Sequence, residues 1–467
     1  MKMRQEKDSL GFLEIQSDAL YGIQTARAST NFQIVEDTVD EQFIKCLAMV
    51  KRACSIANNQ VGCIPDDISN AMNQACLEIE EGKHNQWFIT SALQGGAGTS
   101  VNMNINEVIA NRSLQILGSS LGNYSFIHPN DIVNHGQSTN DVIPTAGKLT
   151  TSILLLELID HLDMLQIAFE KVASQGKEVI KVGRTHLQDA VLITMEQVFN
   201  SFASMMKRNS NRIKMARFEM DYINLGATAI GTEINAKPGY RDIAVKNLSQ
   251  ISGFNLESIE DLVDGTKSVD SFSFIHACLK NLAMDLSKIS NDMRLMASGP
   301  TAGFSEINLP ALQPGSSIMP GKVNPVILEV VNQTCFQVVG HDATITFAHE
   351  AGQMELNVFE PVIFYNLFKS LRILTKAMDA LRTKVLDGLT FNIESCKKSV
   401  ERSLAMSTAL VDYLGYDKTS EVTKKALKEN KSLREVVLDE ALIDVSKLDS
   451  ILEPIKMVRG QNNGKSI

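Results

Sequence analysis

The sequence lacks paired cysteines. Its seven cysteines are scattered through 467 residues, with an odd total and no C-x-x-C pair. This distribution argues against a disulfide framework and offers no ligand spacing for zinc, so we expect reduced thiols, no metal and a cytoplasmic location. The N-terminal residues lack the apolar stretch of a signal peptide, and no run approaches the roughly 18 apolar residues of a membrane span. We therefore expect no membrane partner.

The sequence also lacks an excess of positive charge. Lys and Arg together number 45, against 54 Asp and Glu, which gives a net charge of −9. A chain of this charge is a poor general partner for nucleic acid, and we expect none. If the substrate is an anionic small molecule, its site must be locally positive against this background.

Proline is nearly absent from two long stretches. Between Pro144 and Pro300 there is only Pro238, and none lies between Pro361 and Pro454. Such stretches permit long helices, and apolar residues recur in them at steps of three and four, as in helices packed along one another. We call one such set the seam: Ile275, Leu279, Leu282, Leu286, Ile289, Met293 and Met296. A second stripe comprises Leu155, Leu158, Leu162, Leu165, Phe169 and Val172.

These patterns predict a mainly α protein with a central bundle of long helices. The two ends of the chain differ from its middle, because the first mixes short helical patterns with Gly- and Asn-rich turns and the last indicates short charged helices. We predict three domains: an N-terminal domain at 1–139, a central helical bundle domain at 140–394 and a small C-terminal helical domain at 395–467.

The stretch GSSIMPGKVNP, residues 315–325, raises a question of function. It is not a phosphate-binding P-loop, because five residues separate its two glycines where four are needed and Val323 replaces the required Ser or Thr. Two serine hydroxyls, a lysine and an asparagine amide remain, and all of them can contact an anion. On composition alone, a plain surface loop stays open as an alternative.

Together with six other segments, this loop resembles the fumarase/aspartase superfamily. In chain order the segments are YGIQTARASTNF from Tyr21, QGGAGTSVNMNINEVIANR from Gln94, VNHGQSTNDVIPTA from Val133, GRTHLQDAV from Gly183, INLGATAIGTEIN from Ile223 and EAGQMELNVFEPV from Glu350. The resemblance covers nearly the whole chain. It implies the three-domain fold of that superfamily and an elimination that yields fumarate or a relative from a small dicarboxylate, without a cofactor.

Two features resemble the ammonia-lyase branch of the superfamily more than the hydro-lyase branch. They are Thr139 in QSTND and the approach to the loop, AGFSEINLPALQPG. The resemblance therefore implies reversible deamination of L-aspartate to fumarate and ammonia. Two alternatives stay open: a hydratase acting on malate and fumarate, and a catalytically impaired protein with a lyase fold.

The resemblance also implies the roles of individual residues. Ser316 would be the base, with backbone N–H groups and Lys322 stabilising its oxyanion. The carboxylate that takes up the developing charge would be bound by Thr99, Ser138, Thr139 and Ser317. The other carboxylate would be bound by Thr185, Lys322 and Asn324. Asn140 and His186 would face the amino group, and Glu329 would pair with the histidine.

Taken without the resemblance, several of these residues have simpler explanations. QSTND alone indicates a helix N-cap, Gly-Gly-Ala-Gly before Thr99 indicates a tight turn, and a lone histidine such as His186 is more often structural. Three positions also depart from the family pattern: Glu233 and Leu192 stand where glycine and proline are usual, and Thr301 stands where arginine is usual. A glutamate in place of glycine could distort a turn or repel a dianionic substrate.

The resemblance finally implies a homotetramer in which each site is shared between three subunits. The predicted site residues come from segments that are widely separated in the sequence, as such sharing requires. On this basis we expect the seam to be buried between chains.

Overall fold

The computed structural model of the chain describes residues 2–459, and the mainly α class is confirmed. The helices are α1 (Ile23–Asn31), α2 (Glu41–Gln60), α3 (Asp66–Glu80), α4 (Thr99–Ile116), α5 (Thr139–Gln175), α6 (Met195–Arg217), α7 (Tyr240–Ser252), α8 (Leu262–Lys267), α9 (Asp270–Met296), α10 (Val326–Glu350), α11 (Glu360–Lys384), α12 (Ile393–Arg402), α13 (Val411–Leu414), α14 (Tyr416–Glu429), α15 (Leu433–Asp439), α16 (Val445–Ile451) and α17 (Pro454–Arg459).

The strands are short and form four two-stranded sheets among the described residues. They are β1 (Met3–Asp8) with β2 (Gly11–Gln16), β3 (Ile180–Thr185) with β4 (Gln188–Thr194), β5 (Tyr222–Ile223) with β6 (Glu257–Ser258), and β7 (Ile307–Asn308) with β8 (Thr390–Phe391). The β5–β6 pair is parallel and the other three are antiparallel. The sheets are too small to form a core, so the core is made by helices.

The chain divides into two compact units, each assembled from segments that are distant in sequence. The first unit comprises Met1–Ile159, Asn211–Asn281 and Phe336–Leu374, and the second comprises Asp160–Ser210, Leu282–Cys335 and Thr375–Ile467. The three domains predicted from the sequence stay a prediction, and residues 460–467 of the last one lie outside the described residues.

The long helices follow the predicted apolar stripes. The seam lies on α9 and the second stripe on α5, and all their members are buried. Burial of the seam between chains was the wrong expectation, because neighbouring parts of the same chain already cover it. Within residues 2–459, α5 alone is long and apolar enough to cross a membrane, yet 83% of its apolar window is buried, as in the core helix of a globular protein.

In the first unit, aromatic rings pack closely around α5. Phe364 lies 5.1 Å from Phe272 and stacks on Phe368 at 5.5 Å, measured between ring centroids. A Cβ at Gly147 on α5 would lie 2.3 Å from the Phe364 ring, so only glycine permits this approach. The packing therefore fixes the N-terminal half of α5, which carries the predicted site residues Thr139 and Asn140.

In the second unit, the β3–β4 hairpin packs on the C-terminal helices. Val182 and Leu192 face each other across the hairpin and belong to a buried apolar cluster with side chains of α14 to α16. Buried Glu306 lies 2.6 Å from Arg184 Nη1 and 3.1 Å from Lys181 Nζ, which ties β3 to the segment before β7. The leucine at 192, where the family pattern has proline, thus has a place in the core.

One face of α10 is exposed although it carries no charge for three turns. From Val330 to Gly340 the helix has no charged residue. Phe336 and Phe347 are 64% and 74% exposed, and Gly340 lies between them at helical spacing on the same side. We call this surface the α10 face. Large exposed apolar side chains aligned on one helix are typical of an interaction surface.

Candidate active site

The signature loop, residues 315–325, is closed at its base and exposed at its tip. The Gly315 N–H donates to the Lys322 carbonyl at 2.7 Å, and Asn324 Nδ2 donates to the Gly315 carbonyl at 2.8 Å. A Cβ at Gly315 would lie 2.6 Å from the Lys322 carbonyl oxygen, so glycine is required for this closure. At the tip, Ile318 is 86% exposed. The loop therefore has a fixed base and a tip available to other molecules.

The hydroxyl of Ser316 accepts two backbone hydrogen bonds within this loop. The N–H groups of Ile318 and Met319 donate to Ser316 Oγ at 3.1 and 3.0 Å. Donors that face an oxygen favour its anionic form, which is what a serine base requires. Ser317 and Lys322 are exposed on the same loop. Two backbone N–H groups that could stabilise a Ser316 oxyanion are therefore present, as predicted from the resemblance.

His186 lies at the tip of the β3–β4 hairpin. Thr185 pairs with Gln188 in the strand register, so His186 and Leu187 form a two-residue turn. Their φ angles of 54° and 62° place both in the left-handed region, as in a type I′ turn. The side chains of Thr185 and His186 are exposed there. The hairpin thus presents two predicted site residues on a rigid, tightly turned support.

Glu329 lies in the first turn of α10, where its side chain is half-buried. Its Oε1 lies 3.8 Å from Arg294 Nη2. Within one chain its ion-pair partner is therefore Arg294 and not His186. A pairing of Glu329 with the histidine of another chain stays a prediction.

In the first unit, Thr99 opens α4 directly after a tight turn. Gly98 has φ 85°, and a Cβ there would lie 3.1 Å from Ile143 of α5, so the turn needs glycine. The Thr99 hydroxyl donates to the Gly96 carbonyl at 2.7 Å, and its side chain is exposed. The tight turn expected from the residues alone is confirmed, and it presents a hydroxyl at a helix N-terminus.

Ser138 and Thr139 lie at the start of α5. The Ser138 hydroxyl accepts a hydrogen bond from the Asn140 N–H at 3.2 Å, while the Ser138 N–H donates to Asp141 Oδ1 at 2.9 Å. These two hydrogen bonds cap the N-terminus of α5, so the predicted N-cap is confirmed. Asn102 Nδ2 of α4 donates to the Thr139 hydroxyl at 3.2 Å. Both hydroxyls and the Asn140 amide are therefore held within one helical turn.

The predicted site residues fall into two groups. The first unit contains Thr99, Ser138, Thr139 and Asn140. The second unit contains Thr185, His186, Ser316, Ser317, Lys322, Asn324 and Glu329. The structure brings together 138–140 at the start of α5, and separately the polar groups of the signature loop. The first group supplies hydroxyls and an amide, and the second supplies the base candidate, the lysine and the histidine.

The two remaining departures from the family pattern lie in different surroundings. Glu233 has φ 55°, its N–H donates to the Ala227 carbonyl at 3.1 Å, and its carboxylate lies 3.3 Å from Arg241 Nη1. The turn therefore forms with glutamate present, and Arg241 offsets its charge. Thr301 is exposed in the loop after α9.

Sequence reasoning missed Lys51, which lies fully buried on α2. Its Nζ donates to Asn134 Oδ1 at 3.0 Å and to Gln137 Oε1 at 2.8 Å, directly before the Ser138 turn. Burial lowers the pKa of Lys51 from 10.5 to about 8. The available signal was a pair of basic residues, Lys51 and Arg52, inside the otherwise apolar stretch LAMVKRAC, which alone does not reveal the partners of Lys51.

Replacing Lys51 with methionine should remove a pH-dependent part of the free energy of unfolding. Because the folded pKa is about 8 and the ordinary value is 10.5, the unfolded chain holds a proton between these pH values that the folded chain has released. The free energy of unfolding of the wild type should thus rise by roughly 3 kcal/mol over this window relative to Lys51→Met. Below pH 8, both states hold the proton and the difference is constant.

The measurement is thermal or urea unfolding of both proteins from about pH 7 to pH 11. Thiols and tyrosines that do not interact with Lys51 titrate alike in both proteins, so their contributions cancel in the difference. Parallel curves for wild type and variant over the whole range would contradict a buried Lys51 with a lowered pKa.

Two known protein families match parts of this chain. The family described as "Lyase" matches residues 11–340, and the one described as "Fumarase C C-terminus" matches 406–459. The aspartate ammonia-lyase of Bacillus subtilis (strain 168) is 45% identical over 464 residues, which is 99% of this chain and 98% of that protein.

Two solved structures share the fold over nearly the whole chain. The fumarate lyase:delta crystallin from Brucella melitensis bound to cobalt superposes with a TM-score of 0.95 at 45% identity, covering 98% of this chain and 99% of that one. The class II fumarase from Schistosoma mansoni superposes with a TM-score of 0.94 at 33% identity, covering 99% and 100%. The sequence is thus more similar to the ammonia-lyase and the Brucella protein than to this fumarase.

Proposed function

The chain belongs to the fumarase/aspartase superfamily, and from this premise we propose that it catalyses the reversible deamination of L-aspartate to fumarate and ammonia. The observation that carries this conclusion is 45% identity to an aspartate ammonia-lyase over 99% of the chain. The protein is a carbon–nitrogen lyase. Its substrate is a small dicarboxylate, for which the negative net charge requires a locally positive site.

The chemical problem is the removal of a proton from a carbon next to a carboxylate. Such a carbon is a very weak acid, so the carbanion must pass its charge into the carboxylate as an enediolate. Hydroxyl donors already in place around that carboxylate stabilise it without reorganisation. We assign this role to Ser138, Thr139 and Ser317, and to Thr99 once its hydroxyl turns away from the Gly96 carbonyl to which it donates. The two hydrogen bonds of the α5 N-cap support this role because they hold the Ser138 turn in one conformation.

We assign the proton abstraction to Ser316. The two backbone N–H groups that donate to its Oγ support this role, because they stabilise the alkoxide that must form before attack. Lys322 of the same loop would add positive charge when the loop meets its substrate. Together, the two N–H groups and the ammonium would lower the pKa of the serine hydroxyl.

Binding of the second carboxylate and of the amino group completes the proposed site. Thr185, Lys322 and Asn324 would bind the second carboxylate and thereby fix the reacting hydrogen against the base. Asn140 and His186 would accept hydrogen bonds from the substrate ammonium. Glu329 of a neighbouring chain would pair with the histidine. No cofactor is needed, since the proton, the electron pair and the leaving amine are all supplied by substrate and side chains.

We further propose a cytoplasmic homotetramer whose sites combine residues of different chains. The α10 face supports association, because it exposes Phe336 and Phe347 on one side of the helix, and Phe336 lies within a run that has no charged residue. The His186 turn and the Ile318 tip are both exposed, as groups that complete a site on another chain need to be.

The test of the proposed reaction compares L-aspartate with L-malate. Both carry the same two carboxylates, so discrimination depends on the leaving group. An ammonium needs acceptors, which the Asn140 oxygen and a neutral His186 supply, whereas hydroxide needs a general acid. We expect kcat/KM for L-aspartate to exceed that for L-malate by about 10⁴-fold or more, because polar pockets discriminate at that level.

The formation of fumarate is followed by its ultraviolet absorbance, with each substrate in a separate reaction. Malate turnover at the rate of aspartate turnover would favour the hydratase alternative. No fumarate from either substrate would favour the catalytically impaired alternative, for which Glu233 is the sequence feature in question.

A further inference from the structure

Asp141 is a fully buried carboxylate that bridges two segments of the first unit. Its Oδ1 accepts the Ser138 N–H at 2.9 Å, at the N-cap of α5. Its Oδ2 accepts the N–H groups of Gly226 and Thr228 at 3.1 and 3.0 Å. Three backbone donors thus converge on one carboxylate that is shielded from water. We call residues 224–229 the facing loop.

The facing loop also contacts both the backbone and the side chain of Asn140. Pro144 has no N–H, so the Asn140 carbonyl receives no helical hydrogen bond four residues later. Asn224 Nδ2 donates to that carbonyl instead, at 3.0 Å. The side-chain Nδ2 of Asn140 donates to the Ala229 carbonyl at 2.7 Å. The loop therefore holds Asn140 at two points.

The contact with Ala229 determines the orientation of the Asn140 amide. A backbone carbonyl only accepts hydrogen bonds, so the NH₂ group of the amide must be the one that faces Ala229. The oxygen of the same amide then faces the opposite direction. An amide oxygen is an acceptor, and an acceptor is what a substrate ammonium requires.

The backbone of the facing loop adopts a conformation that its own residues disfavour, so other contacts must stabilise it. Thr228 has φ 61°, and a β-branched residue in the left-handed region is strained by roughly 1–3 kcal/mol. The Thr228 N–H is one of the donors to Asp141 Oδ2. The carboxylate therefore stabilises a strained backbone directly next to the Ala229 carbonyl that orients Asn140.

We propose that Asp141 is a positioning residue that fixes the Asn140 amide with its oxygen toward the substrate ammonium. It acts by clamping the facing loop and the start of α5 together, and it does not touch the substrate. The inference rests on the proposed function, in which Asn140 binds the amino group. It identifies a buried group on which binding of the ammonium depends, since a turned amide would present NH₂ to the ammonium.

The experiment is Asp141→Asn in the full-length protein, with two readouts. Either orientation of the new amide leaves at least one of the three backbone N–H groups facing an NH₂ group. We expect kcat/KM for L-aspartate to fall roughly 100-fold, mainly through kcat, because misplacing one group by about 1 Å has such an effect. The inhibition constant of succinate, which has both carboxylates but no amino group, should change by less than about threefold. Succinate binding does not use Asn140, and the oxygen of the new amide can still accept the Ser138 N–H that holds the carboxylate-binding turn.

Two further variants test whether the effect of Asp141→Asn is specific to the contact between the facing loop and Asn140. Asp342→Asn is the matched control: it also removes a buried carboxylate of the first unit, one that contacts His276, and it should leave the ratio of the two readouts unchanged. Thr228→Gly in the Asp141→Asn background should recover at least about tenfold in kcat/KM, because glycine adopts a positive φ without help.

Several outcomes would overturn the proposal. An unchanged kcat/KM in Asp141→Asn, or equal losses for L-aspartate and succinate, would show that the carboxylate does not act through Asn140. If Asp141→Asn fails to fold and Thr228→Gly does not restore folding, Asp141 has a role in stability alone. Failure of the proposed function is distinct, because it would appear in the wild type as no release of fumarate from L-aspartate.

Discussion

Replacing Ser316 with alanine should lower kcat for L-aspartate by roughly 10⁴-fold, the upper range for loss of a positioned base. The side chain takes no part in closing the signature loop, which depends on Gly315, Lys322 and Asn324. The variant should therefore keep its helix content, and succinate should still bind. The variant loses the hydroxyl oxygen that accepts hydrogen bonds from the Ile318 and Met319 N–H groups.

The matched control is Ser317→Ala, one residue further along the same loop. Ser317 is assigned as one donor among several to the enediolate, and loss of a single such donor lowers kcat by roughly 10²–10³-fold. Steady-state kinetics on both variants, with circular dichroism as a check of folding, separates the two roles. A Ser316→Ala enzyme that is impaired no more than Ser317→Ala would contradict the assignment of the base.

Mixing two inactive variants, Ser316→Ala and His186→Ala, should restore activity from almost nothing. If a site takes its signature loop from one chain and its His186 turn from another, some sites of a mixed tetramer receive both intact segments. For equal amounts and random exchange, about a quarter of the sites are intact. Recovered activity should therefore approach about a quarter of the wild-type value.

The control for this experiment is a mixture of Ser316→Ala and Lys322→Ala. Both changes lie on the signature loop, which each site takes from a single chain, so no mixed site has an intact loop and activity should not recover. Light scattering establishes the oligomeric state, and a mass-tagged chain confirms that exchange took place. An active monomer, or no recovery in the first mixture after confirmed exchange, would contradict shared sites.

The sequence predicted the helical body of the fold well, because apolar periodicity is a local signal. The stripes on α5 and α9 are buried as expected, and the N-cap at Ser138 forms as its residues indicate. Which chain buries the seam could not be predicted in the same way. A stripe shows that a surface will be buried, but not whether the same chain or another one buries it.

The residues of the candidate site could also be predicted only in part from the sequence. Resemblance of short segments supplied Ser316, His186 and the hydroxyl-bearing residues as predictions. It did not supply Lys51 or Asp141, whose contacts join positions more than 80 residues apart. A buried lysine in a mostly apolar stretch, or an aspartate at a helix start, has no sequence feature that identifies a distant amide side chain or backbone N–H as its partner.

The two-residue turn at His186 also restricts which substitutions are compatible with the backbone there. Both turn positions have positive φ, a region that Asn, Asp, His and Gly tolerate and that β-branched residues disfavour. A lineage that loses the imidazole can therefore keep the hairpin most easily by passing through asparagine or glycine. Changes to valine, isoleucine or threonine would alter the backbone as well as the chemistry. The shape of the turn thus restricts the routes by which this reaction can be lost or altered.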